Sequence, residues 1–147
     1  MANRIQLDGD GYILEEALAA AAVNPGNLIE KIAAGTVQKH SEEGGYGLVA
    51  VAVEDALQGN DDDDQYASGA RVIYHIQRRG TRFRALLKAG ENVTIGQALI
   101  SDGAGRLIAQ TSRASDSATK QIMAWAEAAS DLSAGGAVDT LLSVRAG

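Results

Sequence analysis

Four consecutive aspartates, Asp61–Asp64, are the residues that most directly suggest a metal site in this sequence. A calcium-binding loop places oxygen ligands at alternate positions, with a glycine at position six and a carboxylate at position twelve. Counted from Asp61, those two positions hold Tyr66 and Val72, which provide neither feature. We therefore interpret the four aspartates as part of a solvated acidic loop and predict no bound metal.

The remaining polar residues do not form a catalytic pattern. The two histidines, His40 and His75, lack the spacing of a zinc-binding pair, and we expect His75 on a strand surface in ordinary hydrogen bonds. The chain has no cysteine and no Gly-x-Ser-x-Gly motif for a nucleophile. Glu54 and Glu127 could form an acid–base pair, although glutamates at strand ends more often face solvent. The sequence therefore predicts no cofactor and no enzymatic activity.

One phrase occurs twice, at residues 23–37 and 93–107, and it contains the most conspicuous glycines. The glycine-rich end of the second copy lacks the Gly-Lys-Ser/Thr of a phosphate-binding loop. A binding loop need not be duplicated, whereas a fold element can be, so we assign the glycines to turns. Aligned without a gap, the copies share Val23/Val93, Gly26/Gly96, Ala34/Ala104 and Gly35/Gly105.

The repeat predicts a fold that is mainly β, a small β-barrel or sandwich of the β-tulip type built from two similar units. The units are expected at residues 23–77 and 93–147, within a β-rich domain at residues 23–147. The 17 glycines against one proline agree with many tight turns. Residues 1–22 are expected to form an extended N-terminal arm or a short helix. Propensity leaves helix and strand open for residues 13–22 and 119–130, with strand favoured in the second case.

Charge is distributed unevenly along the chain. The net charge is −6, yet residues 71–88 carry six cations and no acid, so the remaining residues sum to −12. Alternating polarity in this segment predicts a β-hairpin with a basic face, with Tyr74 and Phe83 on the apolar face. Because those aromatic residues are then unavailable for base stacking, we expect an acidic protein surface as the partner rather than nucleic acid. A basic strand face that is simply solvated is the alternative.

No apolar run approaches the length that spans a membrane, and the first residues lack the apolar core of a signal peptide. No membrane partner is therefore expected. The protein is expected to remain in the compartment where it is made.

Three phrases in this order resemble the small head-decoration (capsid cement) proteins of tailed bacteriophages. They are "PGNLIEKIAAGTVQKHSEEGG", "AVEDALQGNDDDDQYASGARVIYHIQRRG" and "LLKAGENVTIGQALISDGAGRL", and the resemblance covers about residues 20–147. It implies a structural virion protein that binds the outer surface of the assembled capsid and bridges neighbouring major capsid protein subunits. It offers no catalytic motif.

The resemblance also implies where the protein is found and how it assembles. Synthesis in the host cytoplasm would be followed by location on the outer capsid surface. A homotrimer is expected, with a dimer left open. The alternative is a small non-catalytic β-barrel module that binds a sugar or a protein. Candidate capsid or inter-subunit contacts are placed on the arm and the basic hairpin: Arg4, Gln6, Tyr12, Arg71, Arg78, Arg79, Arg82 and Arg84.

Overall fold

The computed structural model describes residues 4–111 and 120–147, and strands dominate this part of the chain. The expectation of a mainly β fold is confirmed, and residues 13–19 are strand rather than helix. Helical structure within the described residues is limited to a 3-10 turn at Ala56–Gln58. The strands are β1 (Tyr12–Ala19), β2 (Ile29–Ala33), β3 (Thr36–Lys39), β4 (Ala50–Ala52), β5 (Arg71–Gln77), β6 (Arg82–Leu87), β7 (Asn92–Val93), β8 (Ala98–Ser101), β9 (Leu107–Ala109), β10 (Ala124–Ala126), β11 (Ser130–Asp131) and β12 (Thr140–Ala146).

The strands form two larger assemblies with the same topology. One is a five-stranded sheet in the order β2-β3-β1-β5-β4, which we call the open sheet. The other is a closed barrel in the order β8-β9-β6-β12-β10. In each, one pair is parallel, β1 with β3 and β6 with β9. The strand order shows that β1 in the open sheet corresponds to β6 in the barrel, so the repeat includes strands that precede both copies of the phrase.

The duplicated glycines have the same structural role in both copies. Gly26 and Gly96 adopt φ of 89° and 84°, a left-handed conformation that glycine reaches without a Cβ clash. Their N–H groups donate to the carbonyls of Ala52 and Ala126, each at 2.8 Å. Each glycine therefore turns the chain where a hairpin begins and also ties that turn to β4 in the open sheet or to β10 in the barrel.

A shared strand, β4, joins the open sheet to the barrel. Val49, Val51 and Val53 are buried in the barrel core, whereas Ala50 and Ala52 are buried in the core of the open sheet. Successive side chains of a strand point to opposite faces, so this short apolar run can serve both cores.

The barrel core is filled by alternate side chains of neighbouring strands. Phe83 and Leu87 of β6 have no exposed surface, and they face Val144 and Thr140 of β12 in the antiparallel register. The same alternation buries Ala17 and Ala19 of β1, and Val72 and Tyr74 of β5, in the core of the open sheet. The barrel core is lined by Phe83, Ala85, Leu87, Leu99, Leu107, Leu142, Val144 and Ala146.

The predicted hairpin over residues 71–88 is wrong, because β5 and β6 do not pair with each other. β5 pairs with β1 and β4 in the open sheet, whereas β6 pairs with β12 and β9 in the barrel. The connecting turn closes with a hydrogen bond from the Thr81 N–H to the Arg78 carbonyl at 3.1 Å. Tyr74 and Phe83 are both core residues, as expected, but they belong to different cores, which requires the chain to leave one sheet and enter the other.

Candidate functional site

The first described residues pack against the body of the protein. Ile5 is completely buried, and its N–H donates to Glu54 Oε2 at 3.1 Å. Its carbonyl accepts the Arg84 N–H at 2.7 Å, and Gln6 forms an antiparallel bridge with Phe83. This part of the expected arm is therefore held on β6 by backbone hydrogen bonds.

His75 is buried, so the expectation that it lies on a surface is wrong. Its ring stacks on Tyr12 with centroids 3.9 Å apart, and it is 7% exposed. Gln6 Oε1 can only accept, so His75 Nδ1 donates to it at 2.9 Å, and Gln77 Nε2 donates to the same oxygen at 2.7 Å. Burial lowers the pKa of His75 to about 4. Two of the proposed contact residues, Gln6 and Tyr12, thus cover a buried imidazole.

Two of the arginines proposed as contacts have acidic partners on neighbouring segments. Arg71 Nη1 lies 3.0 Å from Glu16 Oε2 on β1. Arg82 Nε lies 3.0 Å from Asp8 Oδ1, and the backbone N–H of Arg82 donates to Asp8 Oδ2 at 2.7 Å. The contacts with Arg82 hold the pKa of Asp8 below its usual value, and the backbone hydrogen bond contributes most to this lowering. The fold therefore brings part of the dispersed negative charge to the basic segment.

Arg84 is paired with the acidic loop. Its Nη2 lies 2.7 Å from Asp62 Oδ2, and its Nε donates to the Arg4 carbonyl at 2.7 Å. Asp64 accepts the Asp61 N–H at 2.7 Å, as in a short turn. Within residues 4–111 and 120–147, no cluster of three or more histidine, cysteine, aspartate or glutamate side chains could hold a metal ion.

The cations left for an external partner are few. Arg4, Arg78, Arg79 and Lys88 are exposed, and none forms an ion pair within the part of the chain that the structure describes. Arg78 and Arg79 lie together on the turn between β5 and β6, which we call the basic turn (residues 78–81). The Arg78 N–H donates to the Gly11 carbonyl at 2.8 Å, so the backbone of this turn is fixed to the start of β1.

The two glutamates considered for acid–base chemistry have separate structural partners. Glu54 binds the N–H of Ile5, and Glu127 forms an ion pair with Arg145 of β12. Each carboxylate therefore contributes to strand or segment packing.

Within the described ranges, no helix is both long enough and apolar enough to cross a membrane.

A cavity of ≈ 270 Å³ on the open sheet was missed by the sequence analysis. Tyr46 and Leu48, which contribute to its lining, are 68% and 65% exposed. The Tyr74 hydroxyl donates to Glu15 Oε2 at 2.5 Å, and Lys31 Nζ lies 2.7 Å from the same oxygen. Burial, and then the hydrogen bond to Glu15, raise the pKa of Tyr74. The lining includes Ile29, Lys31, Val37, Ala50, Tyr74 and Ile76.

One signal in the sequence could have indicated this cavity. Ile13, Glu15 and Ala17 are every second residue of β1 and lie on the same face, and of these three only Ala17 is buried. A charged residue among apolar residues on the inward face of a strand indicates a core that is incompletely filled. Helix propensity across this segment obscured the alternation.

Comparison with known proteins places the fold. No protein-family model and no curated protein sequence matches this chain. Among solved structures, the N base of head fiber gp8.5 of bacteriophage phi29 is similar, with a TM-score of 0.56 and 10% sequence identity. The similarity covers 92% of this chain and 94% of that chain. Across nearly its whole length, the chain therefore has the fold of the base of a phage head fiber.

Proposed function

We propose that this chain is a structural protein of a phage virion, which binds the outer surface of the assembled head and bridges neighbouring major capsid protein subunits. The observation that carries the proposal is the fold, shared over 92% of this chain with the base of a phage head fiber. The order of the three phrases in the sequence supports the same role. Many copies binding to a repetitive shell make a modest affinity at each site effective.

A protein that bridges two subunits needs at least two contact surfaces. We propose the basic turn as one of them, since Arg78 and Arg79 are exposed and have no acidic partner among the described residues. Arg71, Arg82 and Arg84 are each paired with an acidic side chain of the same chain, which leaves them less charge to offer a partner. An acidic surface on the head is the matching partner, and attraction to it will weaken as salt increases.

Purified protein mixed with phage heads that lack it provides the direct test. We expect the protein to sediment with the heads at a fixed number of copies per head. We also expect decorated heads to retain their DNA at temperatures at which undecorated heads release it. Absence of sedimentation with intact, expanded heads would overturn the proposal.

The basic turn is tested by charge reversal. The double variant Arg78→Glu with Arg79→Glu is expected to lower head affinity by at least about tenfold at low salt, because two attractive contacts become repulsive. Lys88→Glu changes an exposed cation at the other end of β6 and serves as the matched control. Equal affinity of all three proteins would remove the basic turn from the contact surface.

Light scattering on the free protein tests the proposed homotrimer, for which we expect three times the chain mass of 15.2 kDa.

A further inference from the structure

The open sheet and the barrel differ where their edge strands meet. In the barrel, β8 pairs with β10 at Leu99 and Ala124, and the Met123 N–H donates to the Leu99 carbonyl at 2.9 Å. The corresponding strands β2 and β4 are not paired along their length, and the residues just before β2 reach β4 through an isolated bridge between Leu28 and Val51. The five-stranded sheet therefore stays open along the line at which its counterpart closes into a barrel.

The cavity is the counterpart of the packed barrel interior. The registers of β1 on β3 and of β6 on β9 place Glu15 at the position that Phe83 occupies in the barrel. Phe83 is completely buried, whereas Glu15 is half-buried and binds Lys31 and Tyr74, two residues of the cavity lining. Five lining residues, Ile29, Val37, Ala50, Tyr74 and Ile76, correspond to the barrel core residues Leu99, Leu107, Ala124, Val144 and Ala146.

The edge of β2 beside this cavity has backbone groups available for pairing. The His40 N–H donates to the Leu28 carbonyl at 2.9 Å, so this carbonyl points toward the β3 side, whereas the Leu28 N–H donates to the Gly105 carbonyl at 2.8 Å. Because backbone groups alternate in direction along an antiparallel strand, the N–H and carbonyl of Lys31 point away from β3, toward the gap. On the other side of the gap, Tyr46 and Leu48 present apolar surface next to the cavity.

We propose that this cleft, between β2 and residues 46–50, binds an extended segment of a capsid protein subunit, which adds to the edge of β2 as a strand and inserts an apolar side chain into the cavity. The inference rests on the proposed function, and it supplies the second surface that a bridging protein needs. Strand addition of this kind obtains affinity from main-chain hydrogen bonds and specificity from pockets for alternate side chains.

The chemistry of the cleft favours a polypeptide as the occupant. The β2 edge offers backbone donors and acceptors with strand spacing, which another extended chain matches directly. The lining is mostly apolar, and its two charged residues, Glu30 and Lys31, both have partners within the chain. Glu30 accepts hydrogen bonds from Gln38 and Ser41, and Lys31 Nζ lies 2.7 Å from Glu15 Oε2. In the barrel, the equivalent interior is filled by apolar side chains of the chain itself, so an apolar side chain from a partner fits the same surroundings.

Binding to undecorated heads tests the apolar part of the cleft. Leu48→Asp places a charge beside the cavity, and Leu48 is 65% exposed, so the fold is expected to tolerate the change. We expect at least about tenfold weaker binding to heads, since the charge must be desolvated when the segment inserts. Val138→Asp is the matched control, because Val138 is 71% exposed and lies outside the cleft. Equal binding of Leu48→Asp and Val138→Asp would overturn the proposal while the proposed function stands.

The strand-addition part is tested at the β2 edge. Lys31→Pro removes an N–H that points into the gap, whereas Lys31→Ala removes the same side chain and keeps that N–H. We expect the proline variant to bind heads more weakly than the alanine variant. If Lys31→Pro does not fold, hydrogen exchange of the wild-type protein decides: the Lys31 amide should become protected on heads. Unchanged exchange, or equal binding by folded proline and alanine variants, would overturn strand addition.

The identity of the partner is tested by photo-cross-linking from a benzophenone amino acid at position 46. An adduct with the major capsid protein on decorated heads is the expected product. An adduct only between two copies of this chain would overturn the proposal in favour of self-association. Failure of the wild-type protein to bind heads at all would instead refute the proposed function, so the two failures are distinct.

Discussion

The burial of His75 makes a quantitative prediction about stability and pH. Its pKa is lowered to about 4 in the folded protein by loss of solvent, and the ordinary value of 6.5 applies when the chain unfolds. Between these values the unfolded state binds more protons, so stability is complete above pH 6.5 and is lost as the pH falls toward 4. Linkage then gives a loss of about 2 kcal/mol from this group between pH 7.5 and pH 5.

The assay is urea unfolding at pH 7.5 and pH 5, at one protein concentration, for the wild-type protein and for His75→Asn. Asparagine keeps an amide donor toward Gln6 but cannot be protonated in this range. The carboxylates and His40 are common to both proteins, so their contributions cancel in the comparison. We expect the wild-type protein to lose about 2 kcal/mol more than the variant over this interval. Equal losses would refute the assignment of a neutral, buried His75.

Three sets of substitutions test the packing and the ion pair of Arg84. Gly26→Ala should destabilise by about 1 kcal/mol more than Gly96→Ala in thermal unfolding. A Cβ at Gly26 would lie 2.5 Å from a methyl carbon of Leu141, which must shift, whereas Gly96 faces open space. Equal costs would contradict this packing. Phe83→Ala should cost about 3–5 kcal/mol in urea unfolding, because it empties the centre of the barrel, and a cost below about 1 kcal/mol would argue against that core. Arg84→Ala should lower the free energy of unfolding by about 1–3 kcal/mol, because it leaves Asp62 unpaired. Arg78→Ala should change it by less than about 0.5 kcal/mol. Similar losses in urea unfolding would mean that the ion pair does not support the fold.

Local features of the fold could be predicted from the sequence because local rules determine them. The duplicated glycines do form left-handed turns, and alternation correctly placed Tyr74 and Phe83 on buried faces. These predictions need only the two-residue period of a strand and the freedom of glycine at positive φ. The mainly β class follows from many such segments.

Pairing between distant segments could not be predicted in the same way. Period-two alternation identifies the buried face of β5 and β6 but not their partners, and β1 and β12, which actually pair with them, lie far away in sequence. His75 is covered by Gln6, which lies 69 residues earlier in the chain, and Arg82 binds Asp8, which lies 74 residues earlier. The arrangement of the basic segment and that of the cleft both depend on contacts between distant segments, which period-two alternation does not reveal.

Because β4 has one face in each core, it determines how the molecule unfolds. If β4 detached, the barrel core would lose Val51 and the core of the open sheet would lose Ala52 at the same time. Neither half of the molecule can therefore lose this strand while the other keeps it. A chain built from two similar units is therefore expected to melt in a single transition, with calorimetric and van't Hoff enthalpies in agreement. The same strand borders the cleft, so a segment held there would raise the melting temperature of the barrel as well as that of the open sheet.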